Sequence, residues 1–196
     1  MNENPKIHPL FSKYKTYDKD SQVLILGSFP SENSEKYGFY YGDNKNRFWS
    51  VLGEILGELK LKEKSISDKI EILHKNHIAL WDIWAKCYKT KQSNADTSID
   101  CKKSERANLN DILDNRKIKK IFTTIGGSTM SKNPCGRYFK WWCIEDWLWR
   151  DYANYFPHCK NKNEIVCPLY STSGANWRTP TKRLIDDYSQ ILEYIK

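Results

Sequence analysis

The chain has 196 residues and a formal net charge of +8, from 32 basic and 24 acidic side chains. That length suits one domain with a sizeable core, and the abundance of aromatic residues excludes a disordered body. No run of 18 apolar residues exists, which excludes a membrane-spanning helix, while the basic excess favours a polyanionic partner such as nucleic acid.

The opening segment, MNENPKIHPLF, is polar and has no apolar signal core, so a cytoplasmic protein is expected. Cysteines stand at 87, 101, 135, 143, 159 and 167, and none has C-x2-C spacing. They read mostly as reduced packing residues. A metal held by Cys135, Cys143, His158 and Cys159 is the weaker alternative, because the spacing is loose.

The first apolar run, VLILGS (23–28), reads as a buried strand. FWSVLGEILGEL, after a long polar and aromatic loop, reads as a helix. SISDKIEILHKN places Ile66, Ile70 and Leu73 at helical spacing, with Ser65 or Ser67 as cap. HIALWDI (77–83) is a second strand. ERANLNDILDN predicts a helix with Leu109, Ile112 and Leu113 on one face. KKIFTTIG (119–126) and EIVCPLYS (164–171) are the third and fourth strands. The last segment, TPTKRLIDDYSQILEYI, predicts a helix burying Leu184, Ile185, Tyr188 and Ile191, with Thr179 and Pro180 at its start.

The four strand runs are near-continuous rather than alternating, as in a parallel sheet covered on both faces. The pattern predicts one α/β domain over residues 1–196. Its architecture is a three-layer sandwich with a central, mostly parallel sheet of about four strands. Ligands bind outside the carboxyl ends of such strands, which selects the loops 28–46, 82–103, 126–135 and 171–180. The aromatic-rich segment 128–160 holds Tyr138, Phe139, Trp141, Trp142, Trp147, Trp149, Tyr152, Tyr155 and Phe156. It predicts a helix whose rings fill a small core. At most one or two rings are left to stack on a ligand.

The selected loops are rich in amides and hydroxyls: Ser28, Ser31, Asn33, Asn44, Asn46, Ser171, Thr172, Ser173 and Asn176. They add flat rings (Phe29, Tyr37, Phe39, Tyr40, Tyr41, Trp177) and only two carboxylates, Asp43 and Asp82. Rings sandwich flat ligands and amides read the edge of a base, so a nucleobase fits best. GSFPS matches neither a P-loop nor a three-glycine dinucleotide motif, and G-x-S-x-G is absent. His158 has no nucleophile near it in sequence. His74 and His77 flank the start of the second strand and read as structural.

The stretches LILGSFPS…YY…NRFW, ALWDIWAKC, IKKIF…GG and PLYSTSGAN resemble, in order, those of the uracil-DNA glycosylase superfamily. The resemblance covers roughly residues 10–126 and 164–196. It is nearest to the hypoxanthine-DNA (deoxyinosine) glycosylase branch, with its motifs LILGSMPG, HPxNxFW, LWDVLASC and PSTSPAN. The chain departs from that pattern. Asp43 and Asn44 replace His-Pro, Gly174 replaces proline, Trp177 follows Asn176, and IFTTIGG lacks an asparagine.

The resemblance implies excision of a damaged base without metal or cofactor, on double- or single-stranded DNA. A monomer is expected, because a duplex must reach an open face. The family's catalytic asparagine matches Asn46. A neutral asparagine orients water or donates to the departing base; the rival role for Asn46 is a helix cap. Ser28 stands where related enzymes carry asparagine, and Asp43 is the nearest carboxylate to activate water. Gly27, Phe29, Pro30, Ser31, Tyr40, Tyr41, Ser171 and Ser173 would hold the base. Of the two tyrosines Tyr41 is expected to stack, since adjacent extended positions face opposite ways. Asp82 is expected to accept backbone N–H bonds. Asn176, Trp177, Arg178, Lys182 and Arg183 would contact DNA, Trp177 as a wedge and the cations at phosphates with Lys132 and Arg137. No motif holds a Schiff-base lysine, so a monofunctional enzyme is expected. The alternatives are preference for uracil or a mismatched thymine derivative, a non-catalytic nucleic-acid-binding protein, and a nucleotide hydrolase on the same sandwich.

Overall fold

The computed structural model describes residues 4–89, 98–114, 117–125 and 141–195, the side chains at 141–143, 145 and 163 excepted. In chain order the strands are β1 (Lys6–Ile7), β2 (Val23–Gly27), β3 (Ile78–Asp82), β4 (Trp84–Cys87), β5 (Glu105–Arg106), β6 (Lys120–Thr123) and β7 (Val166–Pro168). The helices are α1 (Glu32–Tyr37), α2 (Phe48–Leu56), α3 (Ile66–Lys75), α4 (Asn110–Leu113), α5 (Trp141–Tyr152), α6 (Lys162–Ile165) and α7 (Thr181–Tyr188).

The four apolar runs form one parallel sheet in the order β3-β2-β6-β7. Every residue of β2 and β3 is buried, because helices cover both faces and no position can be polar without a partner. The β2-to-β3 connection runs one way across the sheet, and the connections to β6 and β7 run the other way. Right-handed crossovers therefore place α1–α3 on one face and α4–α6 on the opposite face. Helix α7 returns to the first layer and packs on α2. The change of direction falls between β2 and β6, the position beyond whose strand ends ligands bind in open α/β sheets.

A second, antiparallel sheet in the order β1-β4-β5 was not legible in the sequence. Its outer strands are two residues long, Lys-Ile and Glu-Arg, and neither contains a buried residue. Glu105 and Arg106, expected in a helix, instead pair with Lys86 and Trp84, and the helix begins only at Asn110. Another unexpected element is α1, inside the first loop. Ser31 caps it by accepting the Ser34 N–H at 3.2 Å, and Gly38 ends it at φ 84°, a left-handed conformation that suits glycine.

Ser65 and Asp68 form a reciprocal capping box on α3. Leu184, Tyr188 and Ile191 are buried as expected, the helix tightening to 3-10 geometry after Tyr188. In the aromatic-rich segment, Ile144, Trp147, Leu148, Tyr152 and Phe156 are buried where α5 packs on α6 and β7. Tyr138 and Phe139 lie outside the described residues.

Candidate active site

Three parallel strands end at one polar cluster. Gly27 closes β2 and stands in register with Asp82, the last residue of β3. Thr124 follows β6, and its N–H donates to Leu26 O at 3.0 Å. Tyr41 reaches across from the first loop, its hydroxyl 2.9 Å from Thr124 Oγ1. That contact ties the first loop to the end of β6. A Cβ on Gly27 would collide with Asp82 Oδ1 and lie 2.8 Å from the Tyr41 hydroxyl, so glycine is required by close approach. Tyr41 itself has φ 53°. This is a costly conformation for a tyrosine, and stacking on Phe48 at 3.9 Å between centroids holds it there.

Behind the cluster, His8 Nε2 donates to Asp82 Oδ2 at 2.9 Å, with both side chains buried. The Leu10 N–H donates to His8 Nδ1 at 3.2 Å. Nδ1 therefore carries no proton, and the imidazole is the Nε2–H tautomer. Pairing of β1 with β4 brings His8 back over Asp82, and His8 N–H donates to Ala85 O at 2.8 Å. The His8 ring stacks on Phe11 at 3.6 Å and meets the half-buried Phe29 edge-on at 5.3 Å. Asp82 was expected to accept backbone N–H groups; its partner is instead this histidine. His8 lies 74 positions away, in a polar stretch with no periodicity to mark it.

The first and late loops are joined by Arg47. Its backbone N–H donates to Thr172 O at 3.0 Å. Its Nη1 donates to Thr179 O at 2.7 Å and its Nη2 to Asn176 O at 2.8 Å. Gly174 packs so closely that a Cβ there would lie 2.8 Å from Lys45 Cβ. Asn46, between Lys45 and Arg47, is thereby set beside Ser173. Asn46 Oδ1 accepts the Phe48 N–H at 2.9 Å, supporting the start of α2, whose N-cap Arg47 has no side-chain cap of its own. No hydrogen bond uses Asn46 Nδ2 among the described residues.

Several expected site residues have other surroundings. Tyr40 is 1% exposed, close to Phe39, His8 and Trp81. It belongs to the core, which corrects its assignment to base binding. Pro30 is buried, and Ser31 is committed to capping α1. The carbonyls of Gly27 and Ser28 accept from the N–H groups of Ile83 and Trp84 at 3.0 and 3.2 Å. Asp43 Oδ1 accepts the Lys45 N–H at 2.8 Å and Oδ2 accepts from Asn33 Nδ2 at 3.0 Å. These two donors, Lys45 first, hold its carboxyl below the ordinary value.

In the late loop, Ser171 Oγ accepts the Ser173 N–H and Ser173 Oγ accepts the Ala175 N–H, both at 3.3 Å. The Asn176 amide is used inside the loop, donating to Ser171 O and accepting from Thr179 Oγ1. These bonds hold the loop in shape. Trp177 is 73% exposed, with the Arg178 guanidinium 5.2 Å from its ring centre. Lys182 and Arg183 are exposed in the first turn of α7, and Arg183 donates to the Tyr170 hydroxyl at 2.6 Å.

Lys132, Arg137 and Cys135 lie outside the described residues, as does the Cys143 side chain. Cys87 is buried and Cys101 exposed, while burial pushes the Cys159 and Cys167 thiols up. Two cavities, of 490 and 290 Å³, lie against Arg106 and Trp147 and against Tyr17 and Trp81. Neither is lined by Asn46, Phe29 or Ser173. Among the described residues no helix is long and apolar enough to cross a membrane.

Residues 14–195 match the model of the uracil DNA glycosylase superfamily. Two curated relatives carry the name hypoxanthine DNA glycosylase. One, from Methanosarcina barkeri, is 40% identical over 96 residues, which is 49% of this chain and 57% of that protein. The other, from Methanosarcina acetivorans, is 39% identical over 67 residues, 34% of this chain and 42% of that protein. The chain thus spans about half the length of the curated relatives it matches. A solution NMR structure of a candidate uracil DNA glycosylase from Methanosarcina acetivorans shares the fold. Its TM-score is 0.55 at 23% identity, over 91% of this chain and 96% of that one. With nearly its whole length matched by the family model, the chain belongs to the uracil DNA glycosylase superfamily.

Proposed function

We propose that this protein is a monofunctional DNA glycosylase acting on a deaminated base, with hypoxanthine in deoxyinosine as its substrate. The observation that carries the reading is the placement of Asn46. It stands at the start of α2, tied through Arg47 to the late loop, with its amide donors unpartnered among the described residues. An amide held this way donates to the purine as negative charge develops on it. The names of the two curated relatives support hypoxanthine over uracil.

In this reading the base is rotated out of the duplex into the crevice beyond β2 and β6. Gly27 and Ser28 provide backbone there, Phe29 and Tyr41 provide ring faces, and Ser171 and Ser173 line the far wall. Trp177 fills the vacated place in the stack, and Arg178, Lys182 and Arg183 meet phosphates. Flipping costs a few kcal/mol, less for an already mispaired base. Neither metal nor cofactor takes part, the protein acts as a monomer, and it works in the cytoplasm as a single domain.

The test is direct. The protein is given duplexes containing inosine, uracil or xanthine, and hot alkali then reveals abasic sites. Product from inosine is expected. Product from uracil alone moves the substrate to that base, and binding without product on any strand removes the catalytic reading.

A further inference from the structure

Asp82 is a buried carboxylate at the end of the central strands, and the reaction as drawn above gives it no task. We propose that Asp82 is the carboxylate that takes the proton from the attacking water, and that His8 is the positioning residue that holds it. This rests on the glycosylase reading of the same crevice.

Four observations carry the proposal. Asp82 is the last residue of β3, in register with Gly27, whose missing side chain leaves the room its Oδ1 occupies. Oδ2 alone is hydrogen-bonded, to His8 Nε2, while Oδ1 has no hydrogen bond among the described residues. The imidazole is fixed as the Nε2–H tautomer by the Leu10 N–H on Nδ1, so it donates to Asp82 and orients the carboxylate. The Tyr41 hydroxyl stands on the same side of Gly27 as Oδ1 and is hydrogen-bonded to Thr124 Oγ1, so polar groups that can hold a water lie on that side.

Asp43 offers a contrast. Both of its oxygens accept hydrogen bonds inside their own exposed loop. Those bonds lower its carboxyl's affinity for a proton, which makes it the poorer base. Asp82 keeps one oxygen, Oδ1, without a hydrogen bond among the described residues.

Water oxygen bonds to C1′ of the deoxyribose as the C1′–N bond to the base breaks, and the bonding pair leaves with the base. One water proton passes to Asp82 Oδ1. The departed base takes a proton from solvent, and Asp82 returns its own to solvent, so the net change is addition of one water across the glycosidic bond.

The experiment compares single-turnover excision, affinity for the damaged duplex and thermal unfolding of the full chain. Asp82→Asn keeps an oxygen to accept from His8 Nε2 but is no base. Its excision rate is expected to fall roughly 100- to 10,000-fold. Affinity and unfolding temperature stay near those of the unaltered protein. Asp43→Asn takes the smaller loss, about tenfold or less. His8→Ala lowers the rate without weakening binding. His8→Gln, which restores a donor near the Nε2 position, recovers about tenfold of that loss.

An Asp82→Asn protein that excises within about threefold of the unaltered rate overturns the proposal. So does one whose loss lies wholly in binding or unfolding. Wild-type protein that excises no base from inosine, uracil or xanthine strands overturns both this proposal and the glycosylase reading. Wild-type excision with an unimpaired Asp82→Asn overturns only the assignment of Asp82.

Discussion

Arg47 Nη2 donates to the carbonyl oxygen of Asn176 at 2.8 Å, joining two loops that lie 129 positions apart in sequence. Its other terminal nitrogen holds the Thr179 carbonyl at 2.7 Å. One planar fork thus fixes the late loop against the start of α2. Lysine carries the same charge but cannot span two carbonyls in one plane. Arg47→Lys is expected to lose about 1–3 kcal/mol of stability in urea unfolding, because a partly buried carbonyl is left without its donor. Excision should fall with it, since Asn46 and Ser173 lose their common brace. Unchanged unfolding and unchanged rate together would show that the fork is dispensable.

Gly174 makes the same junction from the other side. Its backbone comes so near Lys45 that a Cβ would sit 2.8 Å from Lys45 Cβ and 3.3 Å from Lys45 O. These atoms are fixed by backbone and cannot rotate away. Gly174→Ala should therefore cost about 1–3 kcal/mol through overpacking. Combining it with Lys45→Gly removes one of the two clashes, so the double variant should recover part of the loss. A double-mutant cycle by urea unfolding reads the coupling. A coupling of zero would mean that the loops separate without cost.

The parallel sheet was legible because its strands are apolar at almost every position, a signal that needs only local sequence. Leu24, Ile25, Leu80 and Phe122 announce themselves in this way. The antiparallel sheet was not legible, since a two-residue strand such as Glu105–Arg106 has no period to detect. The helix α1 was hidden for a related reason. Six residues capped by Ser31 look like any polar loop until the Ser34 N–H is seen to point back. In the site, Asn46, Tyr41 and the 171–176 loop could be named from their motifs. The His8–Asp82 pair could not, because it depends on β1 folding back along β4. Tyr40 illustrates the limit of composition: two adjacent tyrosines look equivalent, and only packing sends one into the core.

Asp187 supplies a pH prediction. Burial raises its carboxyl above the ordinary 3.8, although the Tyr170 N–H and the Arg183 charge pull it partly back. A carboxyl raised in the folded state stabilises the fold while protonated. Its contribution is full below the unfolded value and is lost as pH rises through the folded value. Asp187→Asn stays neutral and keeps an oxygen for the Tyr170 N–H. The variant should match the wild type near about pH 3 and exceed it near about pH 7 in thermal unfolding. The reverse order would mean that the Arg183 attraction outweighs burial.

Trp177 is 73% exposed, with the Arg178 guanidinium over its ring. Removing it should leave stability within about 0.5 kcal/mol. Its loss is expected to appear in catalysis on paired DNA, where the wedge offsets the cost of unstacking. Trp177→Ala should slow excision from a well-paired duplex about tenfold and slow it less on a single strand, where no stack has to be opened. Equal losses on both substrates would remove the wedge role.

Asn46 has two functions that one pair of substitutions separates. Its Oδ1 accepts the Phe48 N–H at 2.9 Å, while its Nδ2 is unpartnered among the described residues. Asn46→Ala removes both groups, so it should cost about 1 kcal/mol at the helix start and abolish most excision. Asn46→Asp keeps the acceptor and adds a negative charge near a helix N-terminus, where it is favoured. Its unfolding temperature should therefore equal or exceed that of the wild type. The amide donors are gone, so excision should fall roughly 100- to 1,000-fold, as for loss of a donor to developing negative charge. An Asn46→Asp protein as active as the wild type would leave Asn46 a capping residue only, and the donor to the departing base would have to be sought among the backbone N–H groups of residues 27–31.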